Sequence, residues 1–553
     1  MILTGARIIV EVLIEQGCDT VFGYPGGFVL NIYDELYKNR NRINHIITAH
    51  EQGAAHAADG YARASGNVGV VMATSGPGVT NLVTGIATAY LDSTPLVAIT
   101  GNVPLNMLGK DSFQEVDSTG ITMPITKHNY IVKDVRDLAD IIREAFQIAK
   151  SGRPGPVLID VPKDVQLAEC EYTAGKIIEK RKTVEPDATL LELAAKYISE
   201  AERPYIYSGG GVVISDTGEE IANLAELIDA PIGFSMMGLS AVPGNNPRNL
   251  GMTGMHGRYA STKANSEADL IIAVGVRFSD RATGNKTRYT KNAKIIHIDI
   301  DPAEIDKNIS AYIGITGDIK LTLKHLISML VPAKHSEWQK EVKAYLEEER
   351  SYYPKENRLT PKTLIERINS FCDDDTVIAT DVGQHQMWAA QYCAFNKPRR
   401  FLTSGGLGTM GFGMGAAIGG CIAAGKKKAV LLTGDGSFGM NLTEMATAVK
   451  NRLPLIVVIF NNGVLGMVRQ WQTLFYDRRY SETTLERSTD FVKLAEAFGA
   501  EGYRAENIGE LDGILEKAFA ADTPVIIDCV IDKDENVFPM IPPNGSIENI
   551  IVK

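Results

Sequence analysis

A carboxylate and a carboxamide, Asp435 and Asn462, stand 27 positions apart, and each follows a short apolar run. Lys428–Thr433 leads into Gly434-Asp435-Gly436-Ser437-Phe438, and Leu455–Phe460 leads into Asn461-Asn462. Oxygens of this kind suit a hard divalent cation, and Mg²⁺ takes few protein ligands when it can share its shell with a phosphate chain. Two glycines let backbone approach a ligand closely, and a helix after them offers free N–H groups to phosphate. Either turn alone would be ordinary loop chemistry, but the two together at successive strand ends form a specific signal. A third group, Glu51, follows Asn44–Ala49 and opens the helix-period stretch Gly53–Ala64. An acid there is usually no more than a favourable partner for the helix dipole. The next strand end, Ala73-Thr74-Ser75-Gly76-Pro77-Gly78, is again a glycine loop ahead of a helix.

Such residues need strand ends to hold them. Short apolar runs alternate with helix-period stretches along the whole chain, which predicts an α/β fold of doubly wound parallel sheets with helices on both faces. In the first third, strands are expected at Thr20–Tyr24, Asn44–Ala49, Val68–Thr74, Leu96–Thr100 and Val157–Val161. In the last third, the helical run Asn441–Lys450 lies between the two strands that carry Asp435 and Asn462. Polar stretches at Leu167–Pro186 and Pro332–Thr360, the second partly helical, divide the chain into units at 1–165, 187–333 and 361–553. The middle unit places Gly209-Gly210-Gly211, Gly275-Val276-Arg277 and Asp299 after strands, as the phosphates and ribose of a dinucleotide would require. It lacks a strict GxGxxG, so the residues alone support only a nucleotide domain.

Of the 553 residues, 56 are Lys or Arg and 67 are Asp or Glu, a net charge of −11. That balance argues against nucleic acid or an anionic membrane as the main partner. An apolar share of 44% and a charged share of 22% are those of a globular protein, not a disordered one. The six cysteines show no CxxC and no metal-ligand spacing, which reads as reduced thiols and a cytoplasmic setting. The N-terminal run carries Glu11 and Glu15 inside its apolar periodicity, unlike a secretory signal, and no run of about 18 uncharged apolar residues suggests a membrane span.

GDG followed by a helix, a strand and NN resembles the diphosphate-binding motif of thiamine-diphosphate (ThDP) enzymes. FGYPGG (22–27), AHEQGAAHAADGYARASG (49–66), DSFQE (111–115), GRPGPVLIDVPKDVQ (152–166), GMHGRYA (254–260), GVRFSDRATG (275–284), DVGQHQMWAAQ (381–391) and GMVRQWQ (466–472) narrow the likeness. The chain resembles the catalytic large subunits of the acetohydroxyacid (acetolactate) synthase family from about residue 2 onward. That family decarboxylates pyruvate on ThDP and joins the hydroxyethyl unit to a second 2-ketoacid. Pyruvate gives 2-acetolactate, toward valine and leucine; 2-ketobutyrate gives 2-aceto-2-hydroxybutyrate, toward isoleucine.

The resemblance implies roles by position. Asp435, Asn462 and the Val464 carbonyl would hold Mg²⁺ on the diphosphate; Gly434, Gly436, Ser437, Met467, Val382, Gly383, Gln384 and His385 would line it, and Met410 would prop ThDP in its bent form. Glu51 would be the shielded acid on the aminopyrimidine ring. Gly27, Gln114, Phe113 and Lys163 would line the channel to the reacting carbon. Arg281, Trp471 and Met255 would receive the acceptor ketoacid, an Arg fork suiting a carboxylate and an indole face suiting an ethyl group. Arg153, Gly209, Gly210, Met255, His256, Gly275, Arg277, Arg281, Asp299 and Asp318 would approach an FAD that takes no net part in the reaction. Ser279, within RFSDR, departs from the usual RFDDR, and Phe28 stands where a small residue commonly follows PGG. The sequence leaves open whether Glu51 and Asp435 meet within one chain; in the family the cofactor lies between two subunits, which implies a homodimer or homotetramer, with a small regulatory subunit as a further partner. The alternatives are a pyruvate oxidase-like ThDP/FAD enzyme, a flavin-free acetolactate synthase, and a catalytically silent binding paralogue. Glyoxylate carboligase fits less well, since it lacks the acid found here as Glu51.

Overall fold

The computed structural model describes residues 1–175, 184–289, 293–352 and 358–552. Three sheets of six parallel strands succeed one another along the chain. The first runs Asn44–Ile47, Thr20–Gly23, Gly69–Ala73, Leu96–Asn102, Pro156–Pro162, His128–Ile131 from edge to edge. The middle sheet runs Asn249–Met252, Ile232–Phe234, Pro204–Ser208, Leu270–Val274, Lys294–Asp299, Ile313–Thr316. The third runs Phe401–Leu402, Val377–Thr380, Ala429–Gly434, Leu455–Asn461, Val525–Val530, Glu501–Ala505. Numbered within each unit, the first and third sheets share the order 2-1-3-4-6-5, whereas the middle sheet is 3-2-1-4-5-6. In each, strand order reverses beside the unit's first strand, and an open parallel sheet binds its ligand at the carboxyl ends flanking that reversal.

The helices that bear on these ends are α1 (Glu51–Ser65), α2 (Pro77–Leu91), α3 (Gln384–Tyr392), α4 (Phe412–Ala423), α5 (Asp435–Asn441) and α6 (Gly466–Phe475). The first and third units are joined by α1 against α4. A Cβ on Gly60 would stand 2.6 Å from the Ala416 Cα, and one on Gly419 would overlap the Ala57 carbonyl and stand 2.7 Å from the Tyr61 nitrogen. Glycine and alanine on the facing sides thus let the two backbones touch. Around them one apolar cluster takes Phe22, Val71 and Ala98 from the first sheet and Leu431, Val457 and Ile459 from the third. The alternate residues of the same strands, Val430, Leu432, Ile456 and Val458, point into a second cluster shared with Ile206 and Ile272 of the middle sheet, as the two-residue period of a strand requires.

The strands expected from apolar runs lie within one or two residues of those runs, but the first sheet's edge strand His128–Ile131 is an addition that no expected run marks. Three further features differ from expectation. Ile2–Thr4 precedes the N-terminal helix and pairs antiparallel with Glu169–Glu171 inside the first polar stretch. Residues 176–183, in the same stretch, lie outside the described residues. The helical part expected in the second stretch is Ser336–Tyr352, but it is no free connection: it packs on the middle sheet through Trp338 and Val342, with the Trp338 Nε1–H donating to the Pro204 carbonyl at 3.1 Å. Finally, the helix after Gly434 begins at Asp435 itself rather than at Asn441, with a 3-10 turn at Leu442–Glu444 before Met445–Lys450.

Gly419→Val drives a branched side chain into the α1 backbone. Overpacking of this kind costs about 1–3 kcal/mol. A lowered thermal midpoint is expected, and an unchanged one would contradict the seam.

Candidate functional site

Gly434 ends the strand that flanks the reversal point of the third sheet and lies opposite Phe460 of the next strand, so the sequence after each emerges side by side. Asp435 opens α5 and is 8% exposed. Burial pushes its carboxyl up to about 6 against the opposing pull of nearby backbone N–H groups, those of Gly436 and Asn462 among them. The Asn462 Oδ1 accepts the Val464 N–H at 3.2 Å, which folds the side chain over its own turn. Ser437 braces the start of α5: its Oγ accepts the Gly434 N–H at 3.2 Å and sits 3.1 Å from the Thr433 Oγ1. On the neighbouring strand, Val382 and Gly383 lead into α3, so Gln384 and His385 form a helix's first turn rather than a loop. His385 is buried against Gly434, its Nε2 has no hydrogen-bond partner, and burial holds its imidazole down at about 3. The Gln384 amide donates to the Gln470 Oε1 at 3.0 Å and the Glu535 carbonyl at 2.9 Å, while its own Oε1 is unpartnered. Asp381 ties this corner together by accepting the N–H groups of Val382 at 2.9 Å and of Gly411 at 2.7 Å, next to the half-buried Met410. Met467 packs from α6 onto the core beneath.

These groups fit a diphosphate and a divalent cation. A buried carboxylate with no direct ion pair among the described residues, a carboxamide beside it and two helix N-termini are the complement that Mg²⁺ plus phosphate would satisfy. Among the described residues no group of three or more His, Cys, Asp or Glu could hold a metal by itself, so the remaining ligands would have to come from the phosphates and backbone.

The carboxyl ends of the first sheet carry the second group. Glu51, half-buried, begins α1 after the cap His50, whose Nδ1 accepts the Gln52 N–H. The Glu51 Oε2 accepts from the Asn81 Nδ2 of α2 at 2.9 Å. Gly27 is exposed, Phe113 is 80% exposed, and Gln114 holds a left-handed backbone (φ 60°) against Gly76. The Lys163 ammonium lies 5.9 Å from the centre of the Phe28 ring, so the large residue after PGG serves as that cation's platform. Among the described residues, no hydrogen bond or ion pair links Glu51 to Asp435 or Asn462. The two groups lie on different sheets, one at the carboxyl ends of the first and one at those of the third.

Between the middle and third units a third set comes together. The Arg281 Nη1 points at the Met255 Sδ at 3.6 Å, and its guanidinium lies 5.6 Å from the Trp471 ring on α6. At the middle sheet's reversal point, Gly209 and Gly211 pack on Gly275, whose φ is 60°, and Gly210 lies against Met237. Arg277 is half-buried there, and among the described residues its guanidinium forms no hydrogen bond or ion pair; burial first, and then the charge of Arg153, push it below the usual arginine value against the pull of Asp92, Glu304 and Asp299. Arg153 itself is held by Glu304 at 2.7 Å and Ser93 at 2.8 Å. Asp299 is buried and pushed up to about 6. An arginine held in no direct ion pair, beside a glycine turn and a buried acid, fits a dinucleotide's diphosphate and ribose. Asp318 is spent on its own helix, capping the Leu321 N–H, and His256 is half-buried with its shielded Nδ1 unpartnered. Ser279 is exposed. Asn81, Asp381 and Glu444 went unnoticed in the sequence because their partners lie 30 or more positions away.

The raised Asp435 group makes a signed prediction. Its folded value, about 6, exceeds the unfolded value near 3.8, so the cofactor-free fold pays an increasing penalty as pH rises from about 4 through 6. Asp435→Asn removes that penalty, and a rise of this size corresponds to about 3 kcal/mol. Urea midpoints without cofactor should favour the variant more at pH 8 than at pH 5, and a gap independent of pH would contradict the assignment.

The sequence matches three descriptions within one family: thiamine pyrophosphate enzyme, N-terminal TPP binding domain, over residues 3–121; central domain, over 191–326; and C-terminal TPP binding domain, over 381–529. It is 46% identical to a probable acetolactate synthase large subunit of Methanocaldococcus jannaschii, covering 99% of this chain and 95% of the relative. It is 45% identical to an acetolactate synthase of Mycobacterium bovis (99% and 91%) and 44% identical to an acetolactate synthase large subunit of Cyanidium caldarium (99% and 96%). The chain therefore belongs to the thiamine pyrophosphate enzymes, in the family of acetolactate synthase large subunits.

Proposed function

We propose that this protein forms acetolactate, decarboxylating pyruvate on ThDP and joining the two-carbon unit to a second 2-ketoacid. The observation that carries the synthase reading is the meeting of Arg281, Met255 and Trp471 from two units beside the cofactor half-site. The planar Arg281 fork would take the acceptor's carboxylate through paired hydrogen bonds. The Trp471 face and Met255 would form an apolar wall that rewards the ethyl group of 2-ketobutyrate over the methyl of pyruvate, a difference of about 1–3 kcal/mol per methylene. In this reading Asp435, Asn462 and the Val464 carbonyl would hold Mg²⁺, and the first turns of α3 and α5 would face the diphosphate. Met410 would brace the cofactor, and Glu51 would hold a proton against its aminopyrimidine ring. ThDP, once bound, supplies the electron sink for decarboxylation. Gly27, Phe113, Gln114 and Lys163 would close over the reacting carbon and exclude water.

The half-exposed Glu51 supports an active site completed by a second chain, hence a homodimer or a homotetramer. The exposed Phe113 and Met440 are surfaces such a partner would cover. Arg153, Gly209, Gly210, Gly275, Arg277 and Asp299 would bind FAD in a structural role. Relatives named large subunits support a small regulatory subunit as partner. No described helix is long and apolar enough to cross a membrane, and the six cysteines are free, in keeping with a cytoplasmic enzyme.

Purified protein supplied with ThDP, Mg²⁺ and FAD should convert pyruvate to acetolactate. Glu51→Gln should lower that rate about 100-fold or more, since general acid–base groups contribute about 10²–10⁴-fold, with an unchanged circular dichroism spectrum. Wild-type turnover in the variant would remove Glu51 from the mechanism. Trp471→Leu should reduce the preference for 2-ketobutyrate by about tenfold or more in a competition assay with pyruvate. An unaltered product ratio would place the discriminating wall elsewhere.

A further inference from the structure

The turn that carries Glu51 is held by a residue of another unit. Glu444, fully buried, sits in the 3-10 turn directly after α5. Its carboxylate accepts the backbone N–H of Ala49 at 3.1 Å and that of His50 at 3.0 Å, the two residues before Glu51. The Thr447 hydroxyl donates to it at 2.6 Å and fixes its orientation. The carboxylate lies so close beneath the first turn of α1 that a Cβ on Gly53 would collide with it. Among the described residues no lysine or arginine pairs with Glu444. Burying a carboxylate on neutral donors is costly, and its residual charge makes each N–H bond stronger and more directional than a neutral acceptor would.

The reverse arrangement holds the other half-site. Asp92, at the end of α2, accepts the backbone N–H of Gly406 at 2.7 Å and of Gly405 at 3.2 Å, in the segment that leads to Met410. Arg63 of α1 joins Asp92 at 3.0 Å and reaches the Thr403 carbonyl at 2.7 Å. The first and third units have the same strand order, so the two contacts are counterparts. Each unit lends one buried carboxylate to the backbone of the loop that bears the other's site residue.

We infer that Glu444 and Asp92 are positioning residues for the carboligase reaction, Glu444 setting the direction of Glu51 and Asp92 the height of Met410. The inference rests on the roles proposed above for Glu51 and Met410. A displacement of about 1 Å in a reacting group can cost about 100-fold in rate, so loss of the clamp should appear in kcat rather than in substrate affinity.

The test uses the assembled enzyme with Glu444→Gln, Thr447→Val, Asp92→Asn and Glu51→Gln. Glu444→Gln should lower kcat by about 10- to 100-fold with KM for pyruvate within about twofold, and should speed hydrogen exchange at the Ala49 and His50 amides while those of Gly405 and Gly406 stay protected. Asp92→Asn should do the converse at the amides. Thr447→Val keeps the carboxylate but frees its orientation, and should lower kcat several-fold even if Glu444→Gln does not fold. Unchanged kcat in Glu444→Gln, unchanged exchange at residues 49 and 50, or, where that variant does not fold, unchanged kcat in Thr447→Val would each overturn the inference. Glu51→Gln keeps the two failures apart. If it retains full activity, the acid's role is wrong, and the amide exchange still decides whether Glu444 clamps the turn.

Discussion

The close approach of α1 and α4 is the constraint from which the rest follows. Wherever Gly60, Gly415 and Gly419 face the opposite helix, the space a Cβ would need is filled by backbone or by the base of His56, so the two outer units meet at one depth and one angle. Side chains of ordinary size would hold the helices about 8–10 Å apart and leave them free to slide between ridges. Here the seam fixes the beginning of α1, and with it Glu51, relative to α4 and the Met410 turn. The same seam unites strands of the first and third sheets in one core, which a flexible linkage between independent domains would not do.

Three sheets then repeat one physical device. Each reverses strand order beside its first strand, and at each reversal glycines let backbone close on a ligand while a helix start faces it. What differs is the charge left uncompensated. The third unit leaves a buried acid, Asp435, and asks for a cation. The middle unit leaves a half-buried guanidinium, Arg277, in no direct ion pair among the described residues, and asks for an anion. The first unit leaves an acid whose one hydrogen bond among the described residues is to an amide, Glu51 on Asn81, open to a group that can exchange a proton with it. A cofactor with a metal-bound diphosphate at one end and a basic ring at the other answers the first and third of these demands at once.

The fold was legible because buried parallel strands read as unbroken apolar runs, and their ends as glycine turns. Asp435, Asn462 and Glu51 could be found for the same reason, since each stands immediately after such a run. The start of α5 at Asp435 was misread because two glycines argue against helix, whereas the first turn of a helix tolerates them and Ser437 braces it. Trp338 looked like part of a linker because the helix bearing it is mostly charged, and only the buried ring shows that it packs on the middle sheet. Glu444 and Asp92 gave no local signal at all. Their partners are backbone amides some 300 to 400 positions away, and a backbone amide has no sequence identity to read.

The central claim is that one chain's Glu51 works with another chain's Asp435. Co-expressing a Glu51→Gln chain with an Asp435→Asn chain tests it most directly, because an isologous pair of the two places both intact residues at one shared site. If the claim holds, the mixture recovers about a quarter of wild-type turnover, from the single good site in each hybrid that random pairing produces. If each chain builds its site alone, the mixture is as inactive as its two parents, and the shared site is disproved.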